Sequence, residues 1–153
     1  MRIIVSSRGD NIFVDDIDFS KLSGFKWCVT KNRNTKYAYR KEKGKMILMH
    51  RVIMDVMDKE IIDHVDHNGI NNIRANLRIC THTQNMWNRR KSILTKYKYM
   101  GIYKDSPNRW VAECKMNGTR RRIRGLKSPE EAAIAYNSLA EEMHKGFAAL
   151  NEI

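Results

Sequence analysis

The stretch 61-IIDHVDHNGINN-72 contains the dipeptide Asp-His twice, first at Asp63-His64 and again at Asp66-His67. Aliphatic residues surround the first pair, and they can anchor it in a buried β-strand. The second pair runs directly into Asn68-Gly69, a dipeptide typical of turns, where side chains are mobile and solvated. Chemistry requires side chains that are held rigidly by their surroundings. We therefore take Asp63-His64 as the candidate reactive pair.

The residues that follow this pair predict a small strand–loop–strand–helix unit. The polar loop after His64 leads to a second short strand in 77-LRICT-81. Thr81 or Thr83 can cap a helix behind it. The side chains that this helix would carry are polar or basic, namely Asn85, Asn88, Arg89 and Arg90.

The residues before the pair predict a β-rich region over 1–45. Short apolar runs at 3–7 and 12–16 are separated by the turn signal 8-RGDN-11, and a second hairpin is expected from 25-FKWCVT-30 and 37-YAYRKE-42. From Met46 onward the apolar residues recur at helical spacing, so a helix is predicted over 46-MILMHRVIMDVM-57, with its methionines in the core.

This pattern resembles the HNH homing-endonuclease family, a branch of the ββα-metal or His-Me finger nucleases. The family signature is an Asp-His at the end of a strand, an Asn-rich loop with "NL" before the next strand, and an Asn or His on the following helix. Here these are Asp63-His64, 68-NGINNIRANLR-78 with Asn76 twelve residues after His64, and Asn85 twenty-one residues after it. The segments 25-FKWCV-29 and 49-MHRVIM-54 also match, and the resemblance covers about residues 14–92.

The resemblance implies a role for each matching residue. His64 would be the general base and Asn76 would brace the loop that orients it. Asp63 and Asn85 would bind one divalent metal ion. Many family members have His where this chain has Asn85, and an oxygen ligand favours Mg²⁺ or Mn²⁺ over zinc. The expected reaction is hydrolysis of DNA phosphodiesters to a 5′-phosphate and a 3′-hydroxyl.

Residues 97–153 predict a second unit, joined to the first by a linker at 93–96. The segment 109-RWVAECKM-116 alternates, Asn117-Gly118 is a strong hairpin signal, and 119-TRRRIRGL-126 returns as the partner strand. Ser128 and Pro129 then begin an Ala-rich helix. The signatures "GIY", "RWVAECKMNG", "EEAAIAYN" and "GFAALN" make 97–151 resemble the APETALA2/ethylene-response-factor DNA-binding domain, a small three-stranded antiparallel sheet packed on one helix.

Strand alternation predicts a basic face on this sheet, opposite the helix. An Arg on such a face can read guanine in the major groove, or it can contact phosphates alone. The residues expected to bind DNA here are Arg109, Lys115, Arg120, Arg122 and Arg124. Three more are expected to meet phosphates near the end of the first unit's last helix, namely Arg89, Arg90 and Lys91.

The composition supports a polyanionic partner. Lys and Arg number 29 against 17 Asp and Glu, which gives a formal net charge of +12. The three cysteines are far apart and never in a C-x-x-C pair, and no apolar run reaches 18 residues. We therefore expect a cytoplasmic protein of a bacterial or phage-infected cell, without a disulfide framework and without a membrane partner.

Taken together, the sequence predicts an α+β protein with a nuclease domain at 1–92 and a DNA-binding domain at 97–153. Within the first, the β-rich part would span 1–45 and the ββα-metal motif about 58–92. The leading hypothesis is a site-specific, homing-type endonuclease or nickase that binds double-stranded DNA as a monomer, with a dimer left open. The alternatives are a DNA-binding regulator with a non-cutting HNH fold, and a basic protein associated with RNA or ribosomes.

Overall fold

The computed structural model describes residues 1–30, 35–56, 59–89 and 96–153. Helices and strands are mixed along the chain, which confirms the α+β class. The chain divides into two compact units, Met1–His82 and Thr83–Ile153. This division lies ten residues before the predicted domain limit at 92, and the limits at 92 and 97 stay predictions. Most of the predicted linker 93–96 lies outside the described residues.

The first unit is built from short strands and helices. In chain order they are β1 (Arg2–Val5), β2 (Asn11–Val14), α1 (Asp16–Ser23), β3 (Cys28–Val29), β4 (Ala38–Glu42), β5 (Lys45–Leu48), α2 (Met49–Met54), β6 (Ile61–His64), a 3-10 helix (Arg74–Asn76) and β7 (Leu77–Cys80). The strands form three antiparallel sheets, of orders β1-β2, β3-β4-β5 and β6-β7. The next helix, α3 (His82–Trp87), begins at the last residue of this unit.

Two predictions for this unit are wrong in detail. Region 1–45 is not wholly β, because α1 follows β2 directly, with Asp16 and Asp18 in its first turn and Lys21 in its last, where they favour a helix. The helix expected from Met46 begins only at Met49. Lys45–Leu48 instead pairs with β4, after a turn in which Lys43 and Gly44 both have positive φ.

The core of this unit gathers apolar side chains from nearly every element. Trp27 is almost fully buried, and its indole Nε1 donates a hydrogen bond of 2.9 Å to the carbonyl of Leu22. Met49 and Ile53, on one face of α2, are also buried, as expected for core methionines and isoleucines. Leu77 of β7 belongs to the same cluster, so the core reaches the hairpin that carries Asp63-His64.

The second unit contains the predicted three-stranded sheet and helix. Its elements after α3 are β8 (Ile102–Ser106), β9 (Arg109–Met116), β10 (Thr119–Leu126), α4 (Pro129–His144) and a 3-10 helix (Lys145–Phe147). The antiparallel sheet has the order β10-β9-β8. Asn117 and Gly118 both have positive φ, as a two-residue hairpin turn requires. The hydroxyl of Ser128 accepts the backbone N–H of Glu131 at 3.0 Å, which confirms the predicted helix cap.

The core of the second unit lies between the sheet and α4. Ala112 and Cys114 of β9 meet Ala132, Tyr136 and other residues along one side of the helix. Gly101 allows this packing, because a Cβ there would lie 1.9 Å from the ring of Tyr136. No helix in the described part of the chain is both long and apolar enough to cross a membrane.

Candidate functional site

The β6-β7 hairpin places the Asp63-His64 pair at the end of a strand, as the sequence predicted. Asp63 pairs in register with Arg78, and His64 pairs with Leu77. Both polar side chains are inside the protein, with Asp63 6% and His64 5% exposed. The second pair differs, because Asp66 is exposed and His67 adopts a positive φ of 62° in the turn. The strand therefore holds the first pair rigidly, and the second pair belongs to the loop.

Asp63 forms an ion pair with the guanidinium of Arg78. Nε and Nη2 of Arg78 both donate to Oδ2 of Asp63, at 2.8 Å and 2.6 Å. The two side chains are 19% and 7% exposed, so this ion pair is largely shielded from water. Such a pair restrains the carboxylate and compensates its charge in a poorly solvated place. Sequence reasoning did not single out Arg78, although its place opposite Asp63 follows once the hairpin register is known.

The imidazole of His64 is biased toward its neutral form. Burial lowers the pKa of His64 below its ordinary value, while the amide of Asn72 and the carboxylates of Asp66 and Asp63 raise it in part. Asn72 is fully buried near the ring, although neither of its amide atoms forms a hydrogen bond of normal geometry with a described residue. A neutral imidazole is the form that can accept a proton.

Asn76 braces the loop that follows His64. Its amide nitrogen donates to Oδ1 of Asp66 at 2.9 Å and to the carbonyl of Asn71 at 2.8 Å. Its amide oxygen accepts the backbone N–H of Asp66 at 3.0 Å, and its own carbonyl accepts the N–H of Val65 at 3.0 Å. This buried side chain thus ties together both ends of the loop, which is the geometry expected of the predicted bracing residue.

The same loop is fastened to the N-terminal elements of its unit. Phe13 of β2 exchanges backbone hydrogen bonds with Ile70 and Asn72, at 3.0 Å and 2.8 Å. The guanidinium of Arg74 forms a two-point ion pair with the buried carboxylate of Asp18, at 2.8 Å and 2.7 Å. Contacts with β2 and α1 therefore restrain the loop, in addition to the hydrogen bonds of Asn76.

Two further rings contact His64. The ring of His50 lies edge-on to it with centroids 5.2 Å apart, and the ring of Tyr37 lies 5.7 Å away. Burial and the charge of Asp63 both raise the pKa of Tyr37, which places the phenol near the candidate pair. Sequence reasoning did not predict Tyr37, whose only local signal is that it is an aromatic residue next to a polar loop.

The predicted metal ligands lie in different units. Asp63 is in the first unit, and Asn85 is an exposed residue of α3 in the second. Carboxylate and amide oxygens are donors that suit Mg²⁺ or Mn²⁺. Among the residues that the structure describes, no group of three or more His, Cys, Asp or Glu could hold a metal ion. The donor chemistry fits a hard cation, and the roles of both residues stay predictions.

The basic face predicted for the second unit contains one acid, Glu113, which pairs with several basic residues. Glu113 on β9 contacts the ammonium of Lys115 at 3.1 Å and the guanidinium groups of Arg120 and Arg122 at 3.6 Å and 2.5 Å. These four residues therefore share a face of the sheet, and Arg109 begins the same strand as an exposed residue. We call Arg109, Lys115, Arg120 and Arg122 the basic sheet face.

Of the remaining predicted DNA contacts, the structure describes Arg124 and Arg89. A register shift between Ile123 and Leu126 places three residues of β10 opposite two of β9, so simple alternation stops before Arg124. Gly125, with a φ of 79°, lies in this bulge. Arg89 is exposed and lies after α3 has ended, not on the helix as expected. Arg90 and Lys91 lie outside the described residues.

The sequence is 33% identical over 151 residues to an uncharacterized HNH endonuclease of Acanthamoeba polyphaga mimivirus, covering 95% of this chain and 77% of that protein. The chain therefore belongs to the HNH endonuclease family. No family model matches the chain, and no solved structure matches it.

Proposed function

We propose that the protein is a metal-dependent endonuclease that hydrolyses phosphodiesters of double-stranded DNA, with His64 as general base and Asp63 as a metal ligand. The observation that carries this proposal is the burial of Asp63 and His64 together at the end of β6, with Arg78 restraining the acid and Asn76 bracing the loop. Membership of the HNH endonuclease family supports it. A single exposed acid or histidine would not support it.

The residues divide the chemistry among them. His64 accepts a proton from the attacking water, and burial favours the neutral form that this step needs. A bound Mg²⁺ or Mn²⁺ would supply charge stabilisation at the phosphoryl oxygens and the leaving 3′-oxygen. Asp63 would hold that ion, and Asn85 stays a predicted ligand. Asn76 keeps the loop in the conformation that presents His64, and Arg78 limits the rotation of the Asp63 carboxylate.

The second unit would supply DNA recognition. We infer an APETALA2-like role for residues 97–153, supported by a three-stranded sheet on one helix and by the basic sheet face opposite that helix. Site-specific, homing-type cutting requires such added affinity. Arg89, Arg90 and Lys91 would add phosphate contacts.

One observation favours the alternative of a DNA-binding regulator that does not cut. Arg78 already compensates the charge of Asp63. A metal ion at the Asp63 carboxylate would therefore have to bind beside the guanidinium of Arg78. If Arg78 prevents metal binding, the chain binds DNA without cleaving it. A metal titration distinguishes the two functions.

The test is to incubate the full chain with supercoiled plasmid and linear duplexes, in Mg²⁺, in Mn²⁺ and in a chelator. Nicks are mapped on each strand. The nuclease proposal expects cutting in either metal and none with the chelator. DNA binding of equal strength under all three conditions, with no nick at any metal concentration, would support the regulator instead.

A further inference from the structure

Three rings from three separate elements meet at the candidate site. Tyr37 precedes β4, His50 lies on α2, and His64 ends β6. The centroids are 5.6 Å apart for Tyr37 and His50, 5.7 Å for Tyr37 and His64, and 5.2 Å for His50 and His64. These distances lie within the range in which rings attract one another edge-to-face or tilted. Each ring therefore touches the other two, and we call this group the ring cluster.

The backbone around Tyr37 is arranged to keep its ring in this place. Its N–H donates to the hydroxyl of Thr30 at 3.0 Å, and its carbonyl accepts the N–H of Thr30 at 2.9 Å. On the other side, a Cβ at Gly69 would lie 2.6 Å from Cδ1 of Tyr37 and 2.2 Å from the carbonyl of Lys36. The loop after His64 can approach Tyr37 so closely only because position 69 has no side chain.

His50 is a buried ring that contacts Tyr37 and His64. It is 6% exposed, and its Nδ1 forms no hydrogen bond with any residue that the structure describes. Burial, followed by the charges of His64 and Arg51, lowers the pKa of His50 to about 3. The ring is therefore neutral at any pH near neutrality. The ring surface of His50 is what contacts Tyr37 and His64.

We propose that Tyr37 and His50 are positioning residues that hold the imidazole of His64 from two sides by ring contacts. The inference rests on the proposed nuclease function and deepens it. A histidine at a strand end can rotate about two side-chain bonds, and each contacting ring restricts that rotation. Catalysis depends on the fraction of molecules in which the base has the productive orientation. Removal of a ring should lower that fraction without touching DNA.

The test compares variants that lose a ring with variants that keep one. Tyr37→Leu and His50→Ala remove a ring, whereas Tyr37→Phe and His50→Phe preserve it. Tyr39→Leu is the matched control, because Tyr39 lies two residues further along the same segment and outside the ring cluster. Steady-state cutting at saturating DNA gives kcat, and DNA affinity is measured separately without metal. Proton–carbon NMR of the histidine rings reports the surroundings of His64.

We expect each ring-removing variant to lower kcat roughly 2- to 12-fold, the factor that corresponds to one aromatic pair, with DNA affinity unchanged. Tyr37→Phe and His50→Phe should restore most of the loss, and Tyr39→Leu should match the wild type. The ring signals of His64 should move in Tyr37→Leu and not in Tyr39→Leu. If His50→Phe is too large to fold, the Tyr37 variants carry the test alone.

Two results would overturn the proposal. In the first, Tyr37→Phe loses as much activity as Tyr37→Leu, which would mean that the hydroxyl matters and the ring does not. In the second, Tyr37→Leu leaves both kcat and the His64 signals unchanged. A wild-type protein that never cuts would instead count against the proposed function, and the NMR comparison would still decide whether the rings hold His64.

Discussion

The ion pairs of the two units differ. In the first unit, two buried acids each have one guanidinium partner, Asp63 with Arg78 and Asp18 with Arg74. In the second, one acid, Glu113, is surrounded by Lys115, Arg120 and Arg122, whose side chains are 60%, 50% and 32% exposed. The first arrangement compensates charge, and the second leaves an excess of positive charge at the surface.

Under the proposed function, chemistry belongs to the first unit and DNA binding to the second. Matched and shielded charges keep their geometry and respond little to salt, which suits a site that must hold reacting groups in place. Exposed positive charges cost little to maintain and attract a polyanion over a distance, but their effect weakens as salt rises. Changes in the first unit should therefore alter rate or stability, and changes in the second should alter affinity.

The largest expected effect is a loss of cutting rate on substitution of Asn76. Asn76→Ala removes the hydrogen bonds that tie both ends of the loop after His64. We expect cutting to fall about 100-fold, since a small misplacement of a reacting group has effects of that order, while DNA affinity stays within a few-fold. Single-turnover rates and filter binding measure the two quantities. Asn71→Ala, which removes only one side-chain bond to Asp66, is the control and should lose much less activity.

The second-largest expected effect is a fall in the free energy of unfolding. Arg74→Ala leaves the carboxylate of Asp18, which is buried, without its two-point partner. We expect the free energy of unfolding to fall by about 2 kcal/mol, the scale of hydrogen bonds to a charged group. Urea denaturation followed by circular dichroism measures it. Lys36→Ala breaks only a pair with the less buried carboxylate of Asp10 and should cost at most about 0.5 kcal/mol, so equal losses would contradict the importance of carboxylate burial.

The smallest effects are expected on the basic sheet face. Arg122→Ala should cost about 1–3 kcal/mol of affinity at one base pair if the guanidinium reads guanine. If it contacts phosphate alone, the loss will be similar for all sequences and the salt slope will shrink by about one unit. Titrations of specific and scrambled duplexes across a salt series separate these outcomes.

Arg121→Ala is the matched control for this experiment. Arg121 is next to Arg122 in the same strand, but its guanidinium pairs with Glu142 of α4 on the opposite side of the sheet. It should leave DNA affinity within about 0.5 kcal/mol of the wild type. A loss as large as that of Arg122→Ala would mean that total charge, and not the face of the sheet, governs binding.

Local patterns in the sequence predicted much of the fold. Alternation and the Asn117-Gly118 turn predicted β9 and β10, and Ser128 with Pro129 predicted the start of α4, because these signals act over a few residues. The prediction of strands alone over 1–45 missed α1, although the charges at its ends favour a helix, and the prediction for β5 was wrong for a different reason. The apolar residues from Met46 fit a helix, yet pairing with β4 extends them into a strand, and pairing is a tertiary effect.

The candidate site was predictable only in part. The spacing of Asp63, His64 and Asn76 indicated which residues share a motif, and the hydrogen bonds of Asn76 have the geometry expected of a brace. The contacts that restrain the pair come from residues distant in sequence. Tyr37 is held by hydrogen bonds between its backbone and Thr30, and Arg78 by its register opposite Asp63, and no local pattern near Asp63 specifies either.

The most direct test of the account is a comparison of the two Asp-His pairs. His64→Ala and His67→Asn are compared with the wild type in single-turnover nicking with Mn²⁺, and Asn is used at 67 because it tolerates the positive φ there. The account predicts that His64→Ala loses about 10²- to 10⁴-fold in rate, the usual contribution of a general base, while DNA affinity is kept and His67→Asn stays within a few-fold. A reversed result, with His67→Asn inactive and His64→Ala active, would contradict the assignment of the chemistry to the buried pair.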